Sequence, residues 1–329
     1  FCIHYRLGKY RNSPVRLTLR QLEVFAAIAR CGSVSRAAEA LSMTQSATSM
    51  ALAELEKQFN TRLFDRQGKR LQLNTEGREL LPRAMELLDR AQELEDLLEG
   101  KSGTGSLRIG ATLTIGNYLA TLLIGDYMQQ NPGSRVELAV QNTSTIIDQV
   151  AHFKLDLGLV EGDSHHPDLE ITPWVADELV IFAAPDHRLA GNKNLCVDDL
   201  INENWILRER GSGTRQVFDA ALRHQLTHLK VLLELEHTEA IKRAVESGLG
   251  IGCISRLALK DAFRRGSLVP LEVEGLDLKR QFNFVLHKQK FLTAGITSFL
   301  SLCREVTENV SRSDLIILRK PDGKPVEYR

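Results

Sequence analysis

Gln45, Ser46, Ser49 and Met50 share one face of a short helical pattern whose other face carries Ala47, Thr48, Leu52 and Leu55. A glutamine can bond bidentately to an adenine edge, and small hydroxyl side chains let a helix N-terminus come close to phosphates. Downstream, Arg66, Lys69 and Arg70 surround Gly68 in a hairpin pattern. Basic groups at such a tip neutralise phosphates or reach into a narrow minor groove. Together these residue types suit contact with double-stranded DNA. The competing readings are an alanine-rich helical hairpin for the first set and a solvated charged turn for the second.

A second group of polar residues follows segments that read as strands: Thr112 and Thr114, then Asn142, Thr143 and Ser144, then Glu161, and further on Arg208, Ser212, Thr214 and Thr238. In open α/β sheets ligands bind beyond the carboxyl ends of strands, where helix N-termini present free amides. Neutral donors there suit a small oxyanion or carboxylate, with Arg208 and Arg215 adding positive charge. For any one of these residues simple N-capping is the competing role. A metal is not expected. His165 and His166 near Asp163, and His224 with His228 four residues apart, have no third ligand in register. Gly211-Ser212-Gly213 lacks the spacing of a nucleophile elbow. With no convergent acid, base or nucleophile set, and no cofactor motif, the chain does not read as an enzyme.

The elements that must position these groups can be traced in order. Leu19, Leu22, Phe25, Ala26 and Ala29 predict a first helix ending at Cys31-Gly32. Ser33 caps a second built on Ala37, Ala38 and Leu41, with Ser35 and Arg36 counted among the DNA contacts. Thr44 caps the third, so the two short helices form a helix-turn-helix. Thr75-Glu76-Gly77-Arg78 opens a long helix, in which Leu80, Ala84, Leu87, Ala91, Leu94 and Leu98 make a heptad seam. The economical cover is the same helix of a second subunit; packing on the chain's own C-terminal domain is the alternative. A Gly/Ser linker over 100–106 leads into alternating strand and helix patterns, which imply a parallel sheet with helices on both faces. Those strands are expected over 107–110, 135–140 and 155–160, and the helices over 116–130 and 144–153. A second unit is expected to begin near Pro173, with strands over 178–184, 205–207, 230–235 and 250–254 and helices over 215–224 and 239–247. A strand over 281–287 and a helix from Thr293 to about Val310 return to the first unit, giving two lobes and a hinged cleft, as in periplasmic solute-binding proteins.

The 329 residues suit two or three domains, and the formal net charge of zero hides segregation. The stretch 17–75 is mildly basic, through Arg20, Arg30, Arg36 and the wing residues. The stretch 76–99 is acidic, through Glu76, Glu79, Glu86, Asp89, Glu93, Glu95, Asp96 and Glu99. No apolar run is long enough to span a membrane. Cys2, Cys31, Cys196, Cys253 and Cys303 are scattered and odd in number, which suggests a reducing cytoplasm. Residues 1–16 read as a disordered lead, with a phosphate-contacting basic arm as the alternative, and 312–329 as a disordered tail.

Leu22, Phe25, Gly32, Ala37, Ala38, Leu41, Gln45, Ser46, Ala47, Ser49, Leu55, Glu56, Leu63, Phe64, Arg66, Thr75 and Gly77 stand in an order that resembles the LysR-type transcriptional regulators. The resemblance implies an α+β multidomain protein: a winged helix-turn-helix over 17–75, a linker and dimerisation helix over 76–99, a hinge over 100–106, and a two-lobed periplasmic-binding-protein-like effector domain. Lobe I takes 107–175 and 276–311, and lobe II takes 176–275. It further implies a bacterial, cytoplasmic regulator that binds promoter DNA at an approximate palindrome as a homodimer or homotetramer, switched by a small-molecule effector between the lobes. Contact with RNA polymerase stays open, as does a redox pairing of Cys196 with Cys253 against ordinary core thiols. The Thr112-Leu113-Thr114 and Gly211-Ser212-Gly213-Thr214 segments resemble those of regulators of sulfur assimilation and carbon fixation, pointing to a small inorganic oxyanion or compact carboxylate. Family recognition helices often carry arginine where this chain has Met50 and Ala53, which shifts phosphate anchoring toward the wing. A solute-binding protein with an unrelated helical head is the alternative reading of the whole.

Overall fold

Thr18 starts α1 (Leu19–Cys31) with a reciprocal cap: its hydroxyl accepts the Gln21 N–H, and the Gln21 side chain accepts the Thr18 N–H. Gly32 ends the helix in the left-handed region at φ 63°, where a side chain would be strained. The computed structural model describes residues 15–67, 70–99, 105–162 and 164–317. It divides the chain into two units, Phe1–Arg90 and Ala91–Arg329.

In the first unit α2 (Val34–Ala40) buries Ala37 and Ala38, and α3 (Gln45–Phe59) buries Thr48, Leu52 and Leu55. Small residues at the crossings let the three helices pack closely. Ala47, expected inside, is exposed, because it lies a full helical step off the stripe set by Thr48, Leu52 and Leu55. The antiparallel hairpin β1 (Phe64–Gln67) and β2 (Arg70–Leu73) is tied back to the end of α1 by Leu71 N–H on Gly32 O at 3.1 Å, and Phe64 packs on Phe25 at 5.6 Å. Asn74 then accepts the Gly77 N–H at 2.8 Å and opens α4 (Thr75–Leu98). Of the seam, Ala84 is buried, whereas Leu87, Leu94 and Leu98 are exposed, along with Leu97. Of the expected lead, residues 1–14 lie outside the described residues; Arg16 is placed, its guanidinium 5.1 Å over the Phe59 ring.

In the second unit β3 (Ser106–Thr112) pairs in parallel with β4 (Arg135–Gln141) and β5 (Leu157–Glu161). Between β3 and β4 the chain runs as α5 (Leu113–Ile115), a π-turn over Gly116–Ala120 and α6 (Thr121–Gln130); α7 (Thr143–Ala151) leads to β5. Ser106, assigned to the linker by composition, is the first residue of β3, and residues 100–104 lie outside the described residues. Asp156 fixes the start of β5. It accepts the Arg108 N–H at 2.9 Å and the Arg108 guanidinium at 2.7 and 3.1 Å, and it sits 3.0 Å from Lys290 Nζ. Burial alone would raise its pKa; Lys290 and Arg108 outweigh burial and hold it at about 2.

The strand β6 (Leu169–Ala183) runs 15 residues without a break. Pro173, expected to mark a boundary, lies inside it. There the pairing with β11 (Lys279–His287) slips between Phe282 and Asn283, and such a bulge tolerates a residue with no N–H. After β6 come α8 (Val197–Leu200), β7 (Asn204–Arg208), α9 (Gly213–Ala221), β8 (Lys230–Leu235), α10 (Thr238–Glu246), β9 (Ile251–Ser255), α11 (Arg256–Arg265) and β10 (Val269–Leu271); α12 (Ala294–Val306) follows β11. Among the described residues the strand order is β4-β3-β5-β11-β6-β9-β7-β8, with β10 on β6. The expected parallel sheet is therefore mixed. Each lobe has a parallel trio, and the shared strands β6 and β11 run antiparallel to their neighbours.

Several buried apolar clusters flank the crossing. One joins Leu107, Ile109, Leu159, Phe282, Phe284 and Phe299, and another joins Leu179, Ile181, Trp205, Phe218 and Ile251. Residues 312–317, read as part of a disordered tail, are held in place: Ser313 is fully buried with its hydroxyl donated to Asp177, Arg312 pairs with Glu178 and Asp314, and Ile316 joins the first core. Residues 318–329 lie outside the described residues.

Candidate functional site

On the first unit, Thr44 caps α3 by accepting the Ala47 N–H at 3.2 Å, which turns Gln45, Ser46, Ser49 and Met50 to solvent. Met50 is 63% exposed, a large apolar group with no intramolecular reason to be there. Ser35 and Arg36 are also exposed; Ser33 holds the N-cap position of α2, yet its side chain makes no capping bond. Arg66 and Arg70 stand exposed on the hairpin, opposite Leu71 and Gln67 respectively, and Lys69 lies outside the described residues.

In the second unit the structure brings Thr112, Thr114 and Thr214 to the carboxylate of Glu161, and Thr143 to its backbone carbonyl. The Thr112 hydroxyl donates to Glu161 Oε2 at 2.9 Å; the hydroxyls of Thr114 and Thr214 donate to Oε1 at 3.3 and 3.2 Å. The Thr143 hydroxyl donates to the Glu161 carbonyl at 3.2 Å and accepts the Gly213 N–H at 3.1 Å. Thr112, Thr114, Thr143 and Glu161 come from the first lobe, and Gly213 and Thr214 from the second, so these bonds clasp the lobes together. Gly213 is required by space: a Cβ there would lie 2.1 Å from the Glu161 carbonyl oxygen. Asn142 and Ser212 act as caps, accepting the Thr145 and Arg215 N–H groups at 3.1 and 3.4 Å. Ser144 donates its hydroxyl to Asn142, and its N–H lies 3.5 Å from Gly211 O.

Arg280, which the sequence reading passed over, completes this cluster. Its Nη1 donates to Thr214 Oγ1 at 2.9 Å and lies 3.4 Å from Glu161; its Nε donates to Asp177 at 2.6 Å. Ser255 donates to the other Asp177 oxygen at 2.8 Å. Burial opposes the guanidinium charge, and Glu161 and Asp177 outweigh it, so its pKa is raised. Arg280 sits in an alternating strand where its pattern is that of a solvated charge. Asp177-Glu178 inside an apolar stretch was the legible hint, since acids there need partners.

The charges of Arg208 and Arg215 are both paired with carboxylates, with Arg208 Nη1 left without a partner among the described residues. Arg208 is buried and bidentate on Glu209 at 2.8 and 3.0 Å, and Arg215 bonds Asp219, Glu234 and the Arg208 carbonyl. Thr238 begins α10, buried, its hydroxyl without a partner among the described residues. Beside the clasp lies a cavity of about 440 Å³ lined by Leu113, Asn117, Val140, Gln141, Asn142, Thr145, Glu209, Glu236 and His237. Tyr118 donates its hydroxyl to Glu239, which also accepts from Lys242 at 2.8 Å.

His224 lies beyond the end of α9 and His228 sits in a separate 3-10 turn, so the two do not share a helix face; Asp163 lies outside the described residues. No group of three potential ligands occurs among the described residues. Cys253 and Cys303 are buried, and burial pushes the Cys253 thiol up to about 12, while Cys196 is exposed. No helix among the described residues is long and apolar enough to cross a membrane.

Residues 19–78 match the family described as bacterial regulatory helix-turn-helix protein, lysR family, and residues 100–308 match the LysR substrate binding domain. The chain belongs to the LysR family. It is a DNA-binding transcriptional regulator of the LysR type with an effector-binding domain. It is 42% identical over 289 residues to the HTH-type transcriptional regulator YeiE of Escherichia coli, covering 88% of this chain and 98% of that one. The RuBisCO operon transcriptional regulator of Allochromatium vinosum is 33% identical, with 87% and 95% covered. Among solved structures, the regulatory domain of Synechocystis CcmR in complex with 2-PG is 32% identical at a TM-score of 0.59, covering 64% of this chain and all of that one.

Proposed function

We propose that this LysR-type regulator reads an approximate palindrome as a homo-oligomer in the cytoplasm, and that a small anionic effector bound between the lobes of its second unit changes its grip on DNA. Gln45, Ser46 and Ser49 take the base edges, and Arg66, Lys69 and Arg70 take the backbone. Leu87, Leu94 and Leu98, exposed on α4, supply the seam for a second copy. The observation that carries the effector reading is the convergence of four threonines, from both lobes, on one point beside a cavity. A ligand there touches both lobes at once, so it can bias their closure by differential binding. The CcmR regulatory domain, solved with 2-PG, supports a compact anion of that class.

Selection of bound duplexes from a random pool, followed by DNA-binding titrations with and without a panel of small oxyanions and carboxylates, tests the reading. An enriched palindrome whose affinity shifts with one anion class is expected. Enrichment of no motif refutes the DNA assignment, and a motif indifferent to every anion refutes the effector class alone.

A further inference from the structure

We infer that Met50 reads a thymine in each half-site of the DNA by packing its thioether against the C5-methyl group. This rests on the DNA-binding reading above, in which Gln45, Ser46 and Ser49 take base edges, and adds to it one residue and one base.

Thr48, Leu52 and Leu55 form the buried stripe of α3. At about 100° of rotation per residue, Met50 lies on the opposite side of the helix from that stripe. It is 63% exposed, more than any other large apolar side chain of α3. Ser46, Ala47, Ser49 and Ala53, which flank it, are exposed and short. The outward face can therefore come close to the floor of a groove, and Met50 projects beyond the residues around it. The exposure of Ala47, which a simple inward stripe would have buried, belongs to the same arrangement: Ala47, Met50 and Ala53 recur every three residues on the side turned away from the body.

A thioether has no proton to donate and is a weak acceptor, so Met50 gains little from phosphates or from the polar atoms of a base edge. The major groove offers it one apolar partner, the C5-methyl of thymine. Against that methyl both partners bury apolar surface. Against the N4 amine of cytosine, or the N7 and O6 of guanine, Met50 strips water from polar atoms and returns no hydrogen bond. One side chain thus favours thymine and penalises the bases that it would leave unpaired.

Deoxyuridine deletes the methyl and keeps every donor and acceptor of thymine. Each thymine of a duplex recovered by the selection described above is replaced in turn, symmetrically in both half-sites, and binding of the full chain is titrated by anisotropy. One position is expected at which the wild type loses affinity by about three- to tenfold per half-site, at which Met50→Ala loses none and Met50→Leu, still apolar, keeps most of the loss. Met50 is exposed and alanine is the best helix former, so the alanine variant is expected to fold. Sequence-specific binding with no position sensitive to deoxyuridine overturns the inference and leaves the DNA assignment standing. A sensitive position that stays equally sensitive in Met50→Ala means that another residue reads the methyl, and overturns the role of Met50. Absence of specific binding to any duplex removes the DNA reading and this inference with it.

Discussion

Asp156→Asn should weaken the second unit by an amount that depends on pH in a calculable way. The Asp156 carboxylate sits at about 2 against an ordinary 3.8 because Lys290 and Arg108 overcome the burial that would raise it. A depressed folded-state value means that stability is fully present above the unfolded pKa and is lost as pH falls through the folded one. The difference of roughly two pH units is worth about 2 kcal/mol at pH 7. By pH 3 the unfolded chain is mostly protonated at this position while the folded protein is mostly not, so about half of that contribution has gone. The variant also leaves Arg108 and Lys290 without their shared acid, which adds a cost that does not follow the same titration. Urea unfolding of both proteins at pH 7, 5 and 3 reads the gap directly. It should be about 2 kcal/mol or more at pH 7 and 5, and should narrow by about 1 kcal/mol at pH 3. A gap that stays constant from pH 7 to 3 would refute the assignment of the low pKa to this pair of cations.

Three further outcomes are expected. Gln45→Ala should relax discrimination at one base pair by about 1 to 3 kcal/mol, whereas Arg66→Ala should weaken binding to specific and random duplexes alike and flatten the salt dependence by roughly one phosphate; equal behaviour of the two variants in anisotropy titrations argues against that division. Gly213→Ala drives a methyl into the Glu161 carbonyl and should cost about 1 to 3 kcal/mol or hold the lobes apart, to be read by thermal unfolding and small-angle scattering; wild-type values in both would show that the clasp yields freely. Leu94→Glu places a charge in the exposed seam of α4 and should shift the oligomer toward monomer in sedimentation velocity, with an unchanged coefficient counting against the seam.

The helix-turn-helix was legible because its determinants are local: a cap at Thr44, a glycine at the end of α1, and buried residues at helical spacing. The βα rhythm of the second unit was legible for the same reason. What escaped depended on partners distant in sequence. Pro173 is a good breaker by itself, and only the bulge in β6 at Trp174, beside it and opposite Phe282 and Asn283 of β11, keeps the strand continuous. Thr112, Thr114 and Thr214 were recognisable as polar residues at strand ends, but nothing local says that their protons go to Glu161. Arg280 and Asp177 lie 103 residues apart and read as surface charges until the fold buries both. α11 was overlooked because charged residues interrupt the apolar set Leu257, Ala258, Leu259 and Ala262.

The return of the chain through β11 and α12 has a consequence in time. The core that begins with Leu107 and Ile109 is finished by Phe282, Phe284 and Phe299, which leave the ribosome about 170 to 190 residues later, roughly ten to forty seconds at ordinary rates of synthesis. The core of Trp205, Phe218 and Ile251 is complete before then. The lobe made first is thus the lobe closed last, and in the interval its β3, β4 and β5 must wait with the inner edge of β5 unpaired. Any pause or premature stop between Ile251 and Lys279 exposes that edge, and the part of the nascent protein most in need of a chaperone is the part synthesised earlier.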